Sequence, residues 1–434
     1  MSFKSAAEFL YGLEKFGIKM DMQNIGALME FAGNPHERLK VVHVAGTNGK
    51  GSTCAMIASA LSSQRYKVGL YTSPHIVNFS ERIKINGKQI SEQDVAILTE
   101  FFQPEVVRLK ATFFEATTAI MFKYFADNDV DYAIIETGLG GRLDATNIVD
   151  PIVSVITGIG LDHTEILGST LEQIAFEKAG IVKHDKPSIV NAEKESVRKV
   201  FQQVASDRIS RLSFVGDVSS WSNARVDIEG SVFDARVFDV EYSDLKIGLG
   251  GKHQIQNALT ALSALQLLVE SGEKITREAI YQGFERIKEN TGHHGRLEIL
   301  SREPLVILDV AHNPDGIQAV LESLSPLQGK RGILLFAAMR DKDAKAMITN
   351  LLDRFEVIIL TQLQVARSLS VAELKKLSDN IKLSPQVFGN SFEALKAALN
   401  QTNNDSFLLI TGSHYLAGEI MPVMEKTLLN FESC

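Results

Sequence analysis

Short apolar runs punctuate the first part of the chain: VVHVA (41–45), VGLYTS (68–73), YAIIET (132–137) and IVSVITG (152–158). Runs of this length, rich in β-branched residues, read as strands buried on both faces. Between them, STCAMIASALSSQ (52–64) and FFEATTAIMFKYFAD (113–127) have the length and spacing of helices. Strand and helix in alternation predict a mostly parallel sheet with helices on both sides.

The pattern changes near residue 212. The stretch ARVDIEGSVFDARVFDVEYSDLKIGL (224–249) alternates apolar and polar positions around Gly230, as antiparallel strands with one wet face do. Two helices are expected next, over 254–271 and 276–289, and then a linker, NTGHHGR (290–296). Alternation resumes with LVILDV (305–310), GILLFAAM (332–339), VIILTQL (357–363) and FLLITGS (407–413). The expectation is two α/β domains, 1–296 with a small antiparallel section and a smaller 297–434.

Bulk composition narrows the function classes. The chain has 434 residues, 45% of them apolar, and a formal net charge of −8. That balance argues against a general affinity for nucleic acid or anionic membranes, while leaving room for a local basic pocket. Its two cysteines, Cys54 and Cys434, make no disulfide framework and fit a reducing compartment. Glu8 and Glu14 interrupt the N-terminal stretch where a signal peptide would be apolar. The apolar stretch ALTALSALQLLV (258–269) is too short to span a bilayer. A cytoplasmic protein is expected.

Chemistry enters at HVAGTNGKGS (43–52). The nucleotide-loop pattern G-x-x-x-x-G-K-[ST] fails here, because Val44 stands five before Gly49 and Gly51 follows Lys50. The order strand, glycine turn, helix still presents free N–H groups and a helix dipole to an anion. Lys50 would add a point charge, and Ser52 a hydroxyl. Other strands end in polar residues as well: Ser73 with His75, Glu136 ahead of Gly138, and Asp162 with His163. Ligands of open parallel sheets gather outside the carboxyl ends of the strands, so these residues predict a nucleotide–magnesium rim. In the second domain Asp309, His312, Asn313 and Asp315 follow a strand, where Asn313 or Asp315 could simply cap a helix. Two rims joined by a linker imply a cleft. Lys178, in EQIAFEKAGIVK (172–183), reads by itself as a surface lysine paired with Glu172, Glu177 or Asp185.

Taken in order, HVAGTNGKGS, LYTSPH, ETGLGGRLDATNIVD, DHTEILGSTLEQIAFEKAGIVK, HQIQNALTAL, GRLEIL and ILDVAHNPDG resemble the folylpolyglutamate synthase/dihydrofolate synthase family of Mur-type ligases. The resemblance runs from about Leu10 to Glu419. It implies a P-loop-type N-terminal domain and a Rossmann-like C-terminal one. It also implies ATP-dependent ligation of L-glutamate to a folate, and to dihydropteroate, through an acyl phosphate. ATP and two magnesium ions are the implied cofactors, and a monomer with small-molecule substrates only is expected.

By resemblance, Thr47, Asn48, Gly49, Lys50, Gly51 and Ser52 would cradle the phosphates, and Asn257, Arg296 and Asp309 would contact ATP. Ser73, Glu136 and His163 would hold magnesium. Lys50, Lys178 and His312 would be the catalytic residues, with Lys178 carbamylated and His312 beside the phosphates or the glutamate. Asp21, Thr112, Phe113, Phe114, Glu115, Leu143 and Asp144 would border the pteroyl group. A cell-wall Mur ligase would need an N-terminal sugar-nucleotide domain, for which the roughly forty residues before the loop are too few. A nucleotide-switch ATPase is the rival of another class.

Overall fold

The computed structural model describes residues 1–17, 19–381 and 383–431, with side chains described as far as residue 424; Cys434 lies outside the described residues. The first sheet has eight strands: β1 (Val41–Ala45), β2 (Val68–Tyr71), β3 (Ile83–Ile85), β4 (Lys88–Gln89), β5 (Tyr132–Glu136), β6 (Val153–Ile156), β7 (Ser188–Val190) and β8 (Leu212–Phe214). Their order is β4-β3-β2-β5-β1-β6-β7-β8. Only the pairs β2–β3 and β3–β4 are antiparallel. The all-buried β1 lies between β5 and β6, with Val44 beside Glu136 and Ala45 beside Ile156. Three strand ends therefore open on one crevice.

The helix Lys50–Ser63 explains why its sequence is apolar all round. Every residue from Gly51 to Leu61 is buried, and a helix without a wet face must be covered on every side. The sheet covers one side, and the helices His253–Glu270 and Arg277–Glu285 cover the other. Gly283 permits that contact, since a Cβ there would stand 2.5 Å from the Ala60 Cα. Ser59 Oγ donates to the Gly283 carbonyl at 2.6 Å.

The alternating stretch forms a three-stranded antiparallel sheet, β9 (Ser219–Val226), β10 (Ser231–Val237) and β11 (Val240–Ile247). Its apolar face, including Phe233, Tyr242 and Leu245, joins the same core as the helix His253–Glu270. The expected 276–289 helix is divided into Arg277–Glu285 and Ile287–Thr291.

A second sheet is built from β12 (Glu298–Arg302), β13 (Leu305–Leu308), β14 (Arg331–Phe336), β15 (Val357–Thr361), β16 (Gln386–Phe388) and β17 (Ser406–Thr411), in the order β12-β13-β17-β14-β15-β16. All its pairs are parallel except β12–β13. The edge strands β4, β8, β12 and β16 and the short β3 and β7 next to the edges of the first sheet lack the long apolar runs that announced the others. Among the described residues, no helix is long and apolar enough to cross a membrane.

Candidate active site

The loop after β1 is held from behind. Thr47 N–H donates to the Gly158 carbonyl at 2.8 Å, and Thr157 Oγ1 donates to the Asn48 carbonyl at 2.7 Å. Gly49 adopts φ +87°, and a Cβ there would lie 2.2 Å from Asn257 Oδ1. Glycine is required on both counts. Asn257, buried on the helix His253–Glu270, thus supports the turn. Lys50 Nζ folds back on the loop, donating to the carbonyls of Gly46 and Thr47 at 3.1 and 3.0 Å. The buried Ser52 hydroxyl lies 3.3 Å from His293 Nε2.

Around this loop is a cavity of about 130 Å³ whose wall includes Gly46 to Gly51, Ser73, Glu136, His163, Lys178, Arg296 and His312. The structure thereby gathers most of the expected nucleotide and metal residues. Glu136 is buried and accepts the Ser73 backbone N–H at 3.1 Å. Burial raises its pKa, while Lys50, the Ser73 N–H, Arg296 and Arg82 pull it back. Burial also lowers the pKa of His163, and Lys342 adds to that. Among the described residues no three His, Cys, Asp or Glu side chains form a metal cage.

Lys178 overturns the surface reading. On the helix Leu171–Ala179 it is 4% exposed, and its Nζ donates to the Gly46 carbonyl at 2.8 Å. It has no acidic partner among the described residues; Glu177 instead pairs with Arg142 at 2.9 Å. Burial, with Lys50 second, lowers the Lys178 ammonium to about 7.

The second domain closes the site from the other side. Asn48 and Asn313 exchange amide hydrogen bonds, at 3.3 Å from Asn48 Nδ2 and 2.9 Å from Asn313 Nδ2. Asn313 Oδ1 also caps the helix Pro314–Ser323 by accepting the Gly316 N–H at 2.8 Å. Asp162 meets Lys342 Nζ at 2.5 Å. Burial alone would raise that carboxyl, but Lys342, His163 and His312 hold it at about 2. His312 Nδ1 lies 3.0 Å from the Val310 carbonyl. A carbonyl only accepts, so Nδ1 carries the proton and Nε2 keeps a lone pair. Asp309 is buried and turned to the backbone, accepting Leu297 N–H at 2.9 Å and Ala311 N–H at 2.8 Å.

A second cavity, of about 310 Å³, is lined by Asp21, Thr112, Phe114, Glu115, Leu143 and Asp144, together with Arg82 and Arg367. It shares Ser73, Pro74, Gly138, Leu139 and His163 with the first. Phe113 departs from expectation: it is absent from this wall, and its ring stacks on Tyr11 at 5.8 Å. Adjacent helical residues point about 100° apart, so Phe114 takes the wall alone. Thr112 and Glu115 form a capping box, with Glu115 Oε2 accepting Thr112 N–H at 2.7 Å. Glu115 Oε1 is buried without a partner. Asp144 accepts Leu139 N–H at 2.8 Å and Thr146 Oγ1 at 2.5 Å, which shapes the loop over the cavity.

Sequence reasoning missed Arg82 and Arg367 on the acceptor wall, His293 beside Ser52, Lys342 on Asp162, and His414, which lines the nucleotide cavity with its ring 5.0 Å from that of His312. Only His293 and His414 left a signal, as histidines in the glycine-containing stretches NTGHHGR and TGSHYLAGE.

Two sheets, a glycine loop fed by a buried strand, and a second cavity at its rim define an ATP-dependent ligase of the Mur type. Residues 44–265 match the Mur ligase middle domain, and residues 295–414 match the Mur ligase glutamate ligase domain. The dihydrofolate synthase/folylpolyglutamate synthase of Bacillus subtilis is 35% identical over 429 residues, covering 96% of this chain and 98% of the relative. Folylpolyglutamate synthase of Mycobacterium tuberculosis, complexed with ADP and AMPPCP, superposes with a TM-score of 0.89 at 28% identity, over 97% of this chain and 98% of the other. The E. coli FolC structure with DHPP and ADP gives 0.87 at 30% identity, over 97% and 98%. The chain belongs to the folylpolyglutamate synthase/dihydrofolate synthase family.

Proposed function

We propose that this chain joins L-glutamate to the carboxylate of a reduced folate, and of dihydropteroate, at the expense of ATP. One observation carries the reading: the nucleotide cavity and the acceptor cavity share the wall formed by Ser73, Pro74, Gly138, Leu139 and His163. A carboxylate entering from one side can therefore meet a phosphate entering from the other. That the E. coli relative is found in complex with DHPP and ADP together supports a site that takes two such ligands. Residues 1–296 would carry the nucleotide and acceptor, and 297–434 would close over them.

In the reaction, an acceptor carboxylate oxygen attacks the γ-phosphorus of ATP and ADP leaves. The glutamate amine then attacks the acyl carbon, phosphate departs, and the amine proton goes to a base. The protein needs no nucleophile of its own; positioning and charge stabilisation suffice. The N–H groups of Asn48 to Ser52 face the phosphates, and Lys50 exchanges its loop carbonyls for phosphate oxygens. His312 Nε2, with its lone pair free, accepts a hydrogen bond from the incoming amine.

The residues fit magnesium. Glu136 offers a buried carboxylate with a single N–H partner, Ser52 and Ser73 offer hydroxyls, and His163 stands at the shared wall. A polyphosphate-bound magnesium takes one or two protein oxygens and keeps water for the rest. When bound, it would neutralise charge on the transferring phosphoryl group. Lys178 fits carbamylation, in which its neutral amine adds to carbon dioxide, forming an N–C bond and releasing one proton. The product is an anion at the end of a long arm, facing the same cavity.

The test supplies Mg-ATP, labelled glutamate and, separately, tetrahydrofolate and dihydropteroate. Each turnover should add one glutamyl mass and release one ADP. Turnover on a cell-wall precursor with neither pteroyl acceptor used, or ATP hydrolysis without any acceptor, would overturn it.

A further inference from the structure

The acceptor cavity contains a charge that its walls leave unanswered. Arg82, ending the one-turn helix Phe79–Arg82, is only 7% exposed. Its Nε donates to His75 Nδ1 at 2.8 Å, and its guanidinium lies 5.1 Å from the centre of the Phe113 ring. Among the described residues its two Nη groups have no hydrogen-bond acceptor, and no carboxylate lies within ion-pair distance. His75 brings no compensating charge: burial and Arg82 itself hold that imidazole at about 3, so it is a neutral acceptor. The Arg82 side chain is packed in protein while its Nη groups open on the cavity without a protein partner, an arrangement that an incoming anion would complete. Its remaining N–H groups form a planar fork that matches a carboxylate.

We propose that Arg82 binds the non-reacting α-carboxylate of the acceptor's terminal glutamyl residue and so presents the γ-carboxylate to ATP. The proposal rests on the ligase reading above. Three observations select this carboxylate. Arg82 lines the acceptor cavity and is absent from the wall of the nucleotide cavity, so it lies on the acceptor side of the shared wall. Its neighbours there, Phe114, Leu143 and Pro74, offer apolar surface for a ring system. Finally, a fork clamped on the reacting carboxylate would compete for the lone pairs that must attack phosphorus, whereas those of the bystander carboxylate are not needed for the attack. Arg367, which donates to Tyr415 Oη at 2.8 Å, brings a second guanidinium to the same cavity from the other domain.

The experiment compares two tetrahydropteroyl acceptors, one ending in glutamate and one ending in 4-aminobutyrate, which keeps the reacting carboxylate and lacks the other. In the wild type, removing the α-carboxylate should lower kcat/KM about 100-fold, the scale of a lost buried charge pair. Arg82→Met should lower kcat/KM by a similar factor for the glutamyl acceptor, and at least tenfold less for the analogue. Arg82→Lys, which keeps the charge without the fork, should give an intermediate penalty on the glutamyl acceptor alone. The KM for L-glutamate should stay within about twofold. Equal penalties on both acceptors, or a rise confined to the KM for L-glutamate, would overturn the proposal. Arg82→Lys decides the matter should Arg82→Met fail to melt like the wild type. Wild-type inactivity with both acceptors would sink the ligase reading itself, and the clamp with it.

Discussion

Replacing Lys178 with methionine removes a buried amine and keeps most of its volume. The wild-type ammonium titrates at about 7 in the folded chain, against an ordinary 10.5. The folded state therefore binds fewer protons than the unfolded one between those values, and stability rises with pH across that window. Integrating the difference gives a penalty of about 4 kcal/mol at pH 7, shrinking to about 1 kcal/mol at pH 10. Methionine escapes that penalty and forfeits one hydrogen bond to the Gly46 carbonyl, worth about 1 kcal/mol. The carbonyl keeps a partner, since Lys50 Nζ also donates to it. The variant should thus be more stable than wild type by about 3 kcal/mol at pH 7, with little difference left at pH 10.

Guanidinium unfolding of both proteins at the two pH values, in buffer freed of carbon dioxide, measures this difference. A variant that is less stable than wild type, by the same amount at both pH values, would refute the reasoning. It would mean that Lys178 is held as a charged strut. The same variant should be nearly inactive, and Lys178→Ala should be partly rescued by a short-chain carboxylate, because an untethered acid must still be ordered. Stability gained where activity is lost is expected of a residue kept for chemistry.

Glu136→Gln keeps an acceptor for the Ser73 N–H and removes a carboxylate that burial already disfavours, so its melting temperature should not fall while kcat falls by about a hundredfold or more; near-normal activity at limiting magnesium would exclude the metal role. Lys342→Met leaves Asp162 among histidines without its ammonium and should cost about 3 kcal/mol at pH 7, read by denaturation. Because the Asp162 carboxyl is depressed to about 2, wild type should lose this increment only as the pH falls from about 4 towards 2, and the variant should lack it at neutrality. Asn48→Ala breaks the amide pair across the cleft without touching the cap on the helix Pro314–Ser323. It should cost about 1 kcal/mol and lower kcat/KM, and an unchanged kcat/KM would separate that contact from catalysis.

The rim of the first sheet was legible because strand ends are sequence features. Each long apolar run stops at a polar residue, and parallel topology puts those stops together. That is how Ser73, Glu136 and His163 reached one wall from three separate stretches. Lys178 was not legible, because its neighbours on the helix do not bury it; the loop after β1 does, from more than a hundred positions away. The pairing of Asp162 with Lys342 likewise joins two domains, and neither stretch announces the other. Glu115 was half legible. Threonine followed three places later by glutamate is the signature of a capping box, and the structure shows that role for Oε2 while leaving Oε1 buried without a partner. Phe113 and Phe114 could not be told apart without the register of their helix. Strands β3, β4, β7, β8, β12 and β16 were hidden for a simpler reason: at two to five residues they are too brief for a period to show, and none carries the unbroken apolar run that announced strands such as β13.

The charges of the cleft fit one another only when substrates are counted. Lys50, Lys178, Arg82 and Arg296 have no carboxylate partner among the described residues, and they satisfy themselves on carbonyls or a neutral imidazole. The carboxylates nearby are committed elsewhere: Asp309 to two backbone N–H groups, Glu136 to the Ser73 N–H, and Asp162 to Lys342. A fold selected for stability alone would pair such groups or replace them with apolar residues. Keeping Lys50, Arg82 and Arg296 without a carboxylate makes the empty site locally unfavourable, and the polyphosphate and carboxylates of the proposed substrates relieve it. Lys50 stands on the first domain's nucleotide wall, Arg82 stands on its acceptor wall, and Arg296 sits where the linker enters the second domain. Filling either cavity alone answers only part of that charge. The electrostatic gain is largest when nucleotide and acceptor are both present, which favours assembly of the reacting set before phosphoryl transfer.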